Sequence, residues 1–169
     1  MNPTLMPGDV VLAEQLVGSA APIPRLGELI VYNRDDGQGV LPFTGRVIGL
    51  PSDEVSFQNG SPLINGNRAW REEVGSGEWE GRRIRLSREE IGGRTFRVQH
   101  FEGDVEELPG LRTMPAISVP AAQMFVAGDF RDNSIDSRLV GPFALTAATH
   151  RIVRVLYGTD VGRIGQAVQ

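Results

Sequence analysis

The segment from Gly128 to Arg138 holds the densest set of side chains that could do chemistry in this sequence. Its eleven residues include three aspartates, two arginines, an asparagine and two serines, directly after the apolar run Met124–Ala127. Such side chains can simply cap backbone amides and hold a tight turn. A catalytic role would need a base for the Ser134 hydroxyl, because a serine without one is a weak nucleophile.

Few residues in the chain could serve as that base. The only histidines are His100 and His150, and a triad of Ser134, Asp136 and His150 can be drawn, although no spacing in the sequence demands it. The Lys+Arg total of 17 consists entirely of arginine, and cysteine is absent. The absence of lysine excludes lysine bases and Schiff bases, and arginine cannot replace lysine as a base because its guanidinium stays protonated. The absence of cysteine excludes cysteine nucleophiles, disulfides and thiolate metal sites. We expect no metal and no cofactor.

Composition limits the partners as well. A net charge of -4 gives no electrostatic reason to expect nucleic acid. No apolar run approaches the ~18 residues that cross a bilayer, and the first residues lack the charged and apolar regions of a secretory signal. The 169 residues suit one domain of ordinary size.

The elements that must position the Gly128–Arg138 segment are predicted to be short strands. Runs of β-prone residues bounded by glycine, proline and asparagine are typical of strands, and the two Asn-Gly pairs favour hairpins. The predicted strands are Val10–Ala13, Leu29–Tyr32, Arg46–Leu50, Glu54–Phe57, Leu63–Ile64, Met124–Ala127 and Arg151–Tyr157. The residues Ser87–Glu90 resemble a helix cap that Gly92 and Gly93 end within about a turn.

We therefore predict a mostly β fold of short antiparallel strands with at most short helices. One domain is expected over residues 1–158, with a polar, irregular β insertion at about 54–118. Residues 159–169 are expected to form a loose C-terminal tail.

The Gly128–Arg138 segment resembles the last signature block of the type I signal peptidases, the Ser/Lys serine endopeptidases that remove signal peptides from exported preproteins. It matches the pattern Gly-Asp-x-Arg-Asp-Asn-Ser-x-Asp-Ser-Arg, with Phe130 where that family usually has asparagine. Further blocks in the family's order are Pro3–Leu5 with Gly8-Asp9 and Val11-Leu12, Gly27–Val31, Arg46–Asp53, and Leu63–Gly66 in the β-ribbon. The resemblance covers roughly residues 1 to 157 and implies the family's β fold with its β-ribbon insertion.

The same resemblance implies roles for individual residues. Ser134 would be the hydroxyl that supports the family's lysine. Arg46, Asp129, Asp136 and Arg138 would form the ion-pair framework behind the site. The strand edge that receives an extended signal-peptide C-region would be at Phe43 and Thr44, with Met1 and Leu5 near the small-residue pockets.

The sequence departs from the family at both catalytic positions. The family's nucleophilic serine would stand immediately before Met1, and the position of its general-base lysine holds Gly45. That lysine works as a base because burial lowers its pKa toward neutrality, and glycine has no side chain to replace it. The resemblance therefore predicts a homologue without peptidase activity that binds signal-peptide segments.

Two alternatives stay open at this point. The chain could be a truncated or non-standard active serine endopeptidase whose upstream residues are missing, or a structural or regulatory partner of an active signal peptidase. The resemblance places the domain on the extracytoplasmic face of the cell membrane if an upstream anchor exists. Without one, the sequence taken by itself predicts a soluble chain.

Overall fold

The computed structural model describes residues 1–16, 23–103, 110–158 and 161–168. Strands dominate these residues, as the sequence predicts. The strands are β1 (Val10–Gln15), β2 (Leu29–Asp35), β3 (Val40–Gly49), β4 (Glu54–Gln58), β5 (Ser61–Ile64), β6 (Asn67–Arg68), β7 (Trp70–Trp79), β8 (Arg82–Ile91), β9 (Arg94–Phe101), β10 (Met114–Ser118), β11 (Gln123–Ala127), β12 (Phe143–Ala144) and β13 (Ala148–Tyr157). The helices in the described part are α1 (Ser137–Val140) and two 3₁₀ turns, Leu145–Ala147 and Val161–Arg163.

The main sheet has six antiparallel strands in the order β1-β13-β2-β3-β11-β12. Its centre is β3, whose residues 40–46 pair with β2 on one side and whose residues 46–49 pair with β11 on the other. Residues Gly45–Gly49 are all buried, because both faces of the sheet are covered here. The Gly128–Arg138 segment leaves the end of β11 and so begins beside the middle of β3.

The region expected to be an irregular insertion consists of regular sheet. It forms a four-stranded sheet, β10-β4-β5-β6, and a three-stranded sheet, β7-β8-β9. Residues 104–109 of the expected insertion lie outside the described residues. The expected helix cap at Ser87–Glu90 is wrong, because these residues belong to β8 and pair with strands on both sides. The burial pattern has the two-residue period of a strand, because Ser87, Glu89 and Ile91 are buried and the residues between them are exposed.

Two apolar clusters lie on opposite faces of the main sheet. One cluster joins the three sheets and includes Ile48, Phe57, Phe96, Val98 and Phe125. The other covers the opposite face and includes Ile30, Tyr32, Val47, Met124 and Val126. Because alternate residues of β3 enter alternate clusters, the environment of each site residue on this strand depends on its place in the register.

The C-terminal segment 161–168 packs on the main sheet, unlike the loose tail that the sequence predicts. The Val168 amide donates to the Val153 carbonyl at 3.0 Å, and its side chain is buried with Leu29, Ile152 and Val155. Residues 159, 160 and 169 of the predicted tail lie outside the described residues. Among the described residues, no helix is both long enough and apolar enough to cross a membrane.

Candidate functional site

A buried ion pair joins β3 to the end of β11. The Arg46 guanidinium donates from Nη2 to Asp129 Oδ2 at 2.6 Å and from Nε to Asp129 Oδ1 at 3.1 Å. Both side chains are fully buried, and the Arg46 guanidinium also lies 3.9 Å from the centre of the Phe96 ring. A fully buried bidentate pair fixes the orientation of both groups, so it anchors the start of the Gly128–Arg138 segment.

The N-terminal segment is tied to this pair through Thr4. The Thr4 hydroxyl donates a short hydrogen bond to the Asp129 carboxylate and accepts one from Arg46 Nη2 at 3.4 Å. Met1 and Leu5 are half-buried and pack against the cluster around Leu29. The segment that follows the family's nucleophile in the resemblance therefore lies directly beside Arg46 and Asp129.

A second ion pair shapes the far end of the segment. Arg138 donates to the Asp136 carboxylate from Nε at 2.9 Å and from Nη2 at 2.6 Å, and the Gly128 amide donates to it at 2.8 Å. Asp136 also caps α1 by accepting from the Arg138 amide. Burial alone would raise the pKa of Asp136, but the Arg138 guanidinium and these hydrogen bonds outweigh it and lower the pKa. Asp136 is thus an ionised structural group whose acceptor sites are occupied.

Ser134 lies over Gly128. A Cβ added to Gly128 would collide with the Ser134 hydroxyl oxygen and would lie 2.6 Å from its Cβ, so only glycine lets this serine approach the strand. The Ser134 hydroxyl makes no hydrogen bond with any residue in the described part of the chain.

Gly45, which the resemblance aligns with the family's lysine, is covered by its neighbours. A Cβ here would lie 3.1 Å from Tyr32 Cε1 and 3.2 Å from Val126 Cβ. Tyr32 is 2% exposed and packs against Phe143 with ring centres 4.8 Å apart. Burial, with the charge of Asp136, raises the pKa of Tyr32 to about 12. Its hydroxyl therefore stays protonated at neutral pH and is a poor substitute for the missing amine.

The first half of β3 keeps one side of its backbone without a strand partner among the described residues. Residues 40–45 pair with β2, whereas β11 pairs with β3 only from Arg46 onward. Phe43 is half-buried and Thr44 is exposed on this stretch. Since alternate residues of a strand direct both backbone groups to the same side, this stretch presents free donors and acceptors to an added strand.

Neither histidine forms a hydrogen bond with Ser134 or Asp136 in the described part of the chain. His150 is on β13, which is three strand spacings from β11, about 14 Å. Its ring hydrogen-bonds with Thr149, and no hydrogen bond joins it to Ser134 or Asp136. His100 lies on β9, with Nδ1 3.7 Å from Asp132 Oδ2. The hypothetical triad of Ser134, Asp136 and His150 is therefore not assembled.

The sequence did not indicate two features of this region. Tyr32 covers Gly45 only because β2 and β3 pair in a register that puts Ile30 opposite Gly45, and no local pattern reports such a register. Arg131 forms a fully buried ion pair with Glu89 of β8, joined there by Arg71 at 2.8 Å. The resemblance matched Arg131 to the family block but gave no partner for it.

Known proteins resemble this chain along most of its length. The family described as Signal peptidase, peptidase S26, matches residues 1–157. A signal peptidase I of Pseudomonas fluorescens is 30% identical over 152 residues, which cover 82% of this chain and 51% of that protein. A signal peptidase I of Bacillus amyloliquefaciens is 26% identical over 138 residues, with coverages of 82% and 58%.

Among solved structures, the crystal structure of a signal peptidase I from Enterococcus faecalis aligns with 74% of this chain and 92% of that one. The TM-score is 0.43 and the identity is 21%. The chain spans about half the length of the curated Pseudomonas relatives that it matches.

Proposed function

Because the chain belongs to the signal peptidase family, peptidase S26, we propose that it is a member that holds extended signal-peptide segments without cleaving them. The observation that carries the proposal is Gly45 at the position of the family's general base. A Cβ added here would lie 3.1 Å from Tyr32 Cε1 and 3.2 Å from Val126 Cβ, so the site lacks the amine and its neighbours would have to shift to admit a side chain. No lysine elsewhere in the chain could take its place.

The described acidic side chains of this region are not free to do the work of that base. Asp129 and Asp136 are each held by an arginine in a bidentate ion pair. A serine placed before Met1 would meet the same surroundings. Loss of one member of a catalytic dyad or triad lowers the rate by up to about a millionfold.

Peptide binding does not depend on the missing groups. An extended peptide that adds to a strand edge gains affinity from backbone hydrogen bonds, and its alternate side chains give specificity. The backbone edge at residues 40–45, with Phe43 and Thr44, is suited to this mode. By family resemblance, the peptide would be the C-region of a signal peptide, met at the extracytoplasmic face of the membrane.

Hydrogen exchange tests this proposal. A synthetic peptide with a small-x-small C-region is added to the protein, and the exchange rates of the amides of residues 40, 41 and 43–45 are measured, since Pro42 has no amide hydrogen. We expect at least tenfold slower exchange at the amides that face away from β2. The control is the same peptide N-methylated at alternate residues, which keeps the side chains but cannot donate all its hydrogen bonds. No protection, or equal protection by both peptides, would contradict strand addition.

A further inference from the structure

A small cavity behind the N-terminal segment is lined by three arginines and by no acidic residue of the described part. It lies between β8, β9 and the C-terminal segment and has a volume of about 200 Å³. The polar side chains that line it are Thr4, Arg88, Thr95, Arg97, Arg163 and Gln166. No aspartate or glutamate of the described residues is among its lining residues.

Two of these arginines are directly opposite each other in the sheet. Arg88 of β8 is the cross-strand partner of Arg97 of β9. Like charges at directly opposed positions destabilise an antiparallel pair. An anion bound between the two guanidinium groups would convert this repulsion into attraction.

Arg88 and Arg97 have few partners in the described part of the chain and can bind an anion. The Arg97 guanidinium has no ion pair or hydrogen bond with any described residue. Arg88 approaches Glu72 at 3.5 Å, but both side chains are about half exposed, and pairs of that kind contribute little. Arg163 is held at the cavity by Asp9, which accepts from its Nη1 at 2.6 Å and from its Nη2 at 2.9 Å.

The geometry points to a binding site for a phosphate group at this cavity, with Arg88 and Arg97 as the charged ligands. Guanidinium groups bind phosphate oxygens through two parallel hydrogen bonds, and the Thr95 hydroxyl and the second hydrogen of the Gln166 amide can donate to the remaining oxygens. The volume suffices for a tetrahedral oxyanion with water, since one water occupies ~30 Å³. The site does not depend on peptide binding at β3.

Titration with inorganic phosphate at constant ionic strength tests the site, with amide chemical shifts of residues 88, 95 and 97 as the readout. We expect saturable shifts, and at least tenfold weaker binding for Arg97→Gln. Arg83→Gln, an 85% exposed arginine of β8 that lies outside the cavity, is the control and should bind as the parent does. Arg97 is exposed and makes no side-chain hydrogen bond or ion pair with a described residue, so its replacement leaves folding intact.

A second arm distinguishes a lipid headgroup from a free phosphate. The same three proteins are sedimented with vesicles of phosphatidylcholine alone or with one quarter phosphatidic acid. Sedimentation that needs phosphatidic acid and falls with Arg97→Gln but not with Arg83→Gln assigns the site to a headgroup, whereas saturable phosphate binding without sedimentation assigns it to a free phosphate. An absence of both kinds of binding, or equal losses in the two variants, would overturn the inference.

Discussion

Tyr32 Cε1 lies 3.1 Å from the position that a Cβ at Gly45 would occupy. Such a contact would be closer than ordinary van der Waals packing, so the ring of Tyr32 packs directly over Gly45. Val126 covers the same position from the neighbouring strand. A side chain at position 45 would therefore have to displace both neighbours.

The first prediction concerns the packing of Tyr32 and Val126 around Gly45. Gly45→Lys should lower the free energy of unfolding by about 1–3 kcal/mol, because the new side chain must displace the packed neighbours. Denaturant unfolding measures the loss. The control Thr44→Lys, at the exposed neighbouring position, should change stability by less than about 0.5 kcal/mol. In a Tyr32→Ala background the same Gly45→Lys change should cost less than it does in the parent, as a double-mutant cycle measures. A Gly45→Lys variant as stable as the parent would contradict the close packing around Gly45.

The second prediction concerns the pair between Arg46 and Asp129. Asp129→Asn should destabilise the fold by about 3–5 kcal/mol, because it leaves a fully buried guanidinium without a countercharge. Thermal and denaturant unfolding give the value. The control is Glu73→Gln, which breaks an ion pair with Arg85 that is half exposed, and it should cost about 0–1 kcal/mol. Equal costs for the two variants would refute the anchoring role of Asp129.

The third prediction concerns acid sensitivity from His100. Burial, opposed by the Asp132 carboxylate and reinforced by Arg71 and Arg131, lowers the pKa of His100 to about 4. Between pH 6.5 and 4 the unfolded chain therefore binds a proton that the folded chain does not, and stability falls as the pH falls through this window. The loss should reach about 3 kcal/mol at pH 4.

Unfolding midpoints measured from pH 7 to 4 check this slope. His100→Gln should remove most of it, whereas His150→Gln, at a half-buried position on β13, should keep it. An unchanged slope in His100→Gln would assign the acid sensitivity to other groups. Below about pH 4 a further loss is expected from Asp132 and Asp136, whose pKa values are lowered in the folded state.

The fourth prediction concerns the contact between the C-terminal and N-terminal segments. Arg163→Gln should weaken the hold on Asp9, whose side chain is 2% exposed, at a cost of about 1.5–3 kcal/mol. Hydrogen exchange at Leu5 and Asp9, whose amides are bonded within the N-terminal segment, should accelerate roughly ten- to a hundredfold. The control Arg154→Gln removes a bond to Gly165 but leaves Asp9 untouched. Acceleration by the control alone would contradict a direct role for Arg163.

Local patterns predicted the strands well but not the contacts between them. The apolar runs at Val10, Leu29, Arg46, Met124 and Arg151 all lie in strands, because short β-prone runs between turn residues have few other ways to be buried. Features that depend on distant partners were missed. Glu89 of β8 is buried in an ion pair with Arg131, which is 42 residues away in the sequence. The residues next to Glu89 suggested only a helix cap, which was wrong.

The same distinction between local patterns and contacts with distant residues applies to the candidate site. The polar content of the Gly128–Arg138 segment was plain from the sequence, and so was the glycine at position 45. Tyr32 packs over Gly45, and Val168 packs on the sheet. Neither contact could be predicted without the strand register and the tertiary fold. No signal within a window of ten or twenty residues carries that information.

The central claim, that this member of the family does not cleave, is tested most directly by incubating the natural full-length chain with an exported preprotein and measuring cleavage at its small-x-small site. We expect a cleavage rate no higher than that of the preprotein alone in buffer, whereas a signal peptidase I under the same conditions cleaves the preprotein. Cleavage at that site above the buffer rate would contradict the account. If it occurred, Ser134→Ala and His150→Ala would show whether either residue is responsible.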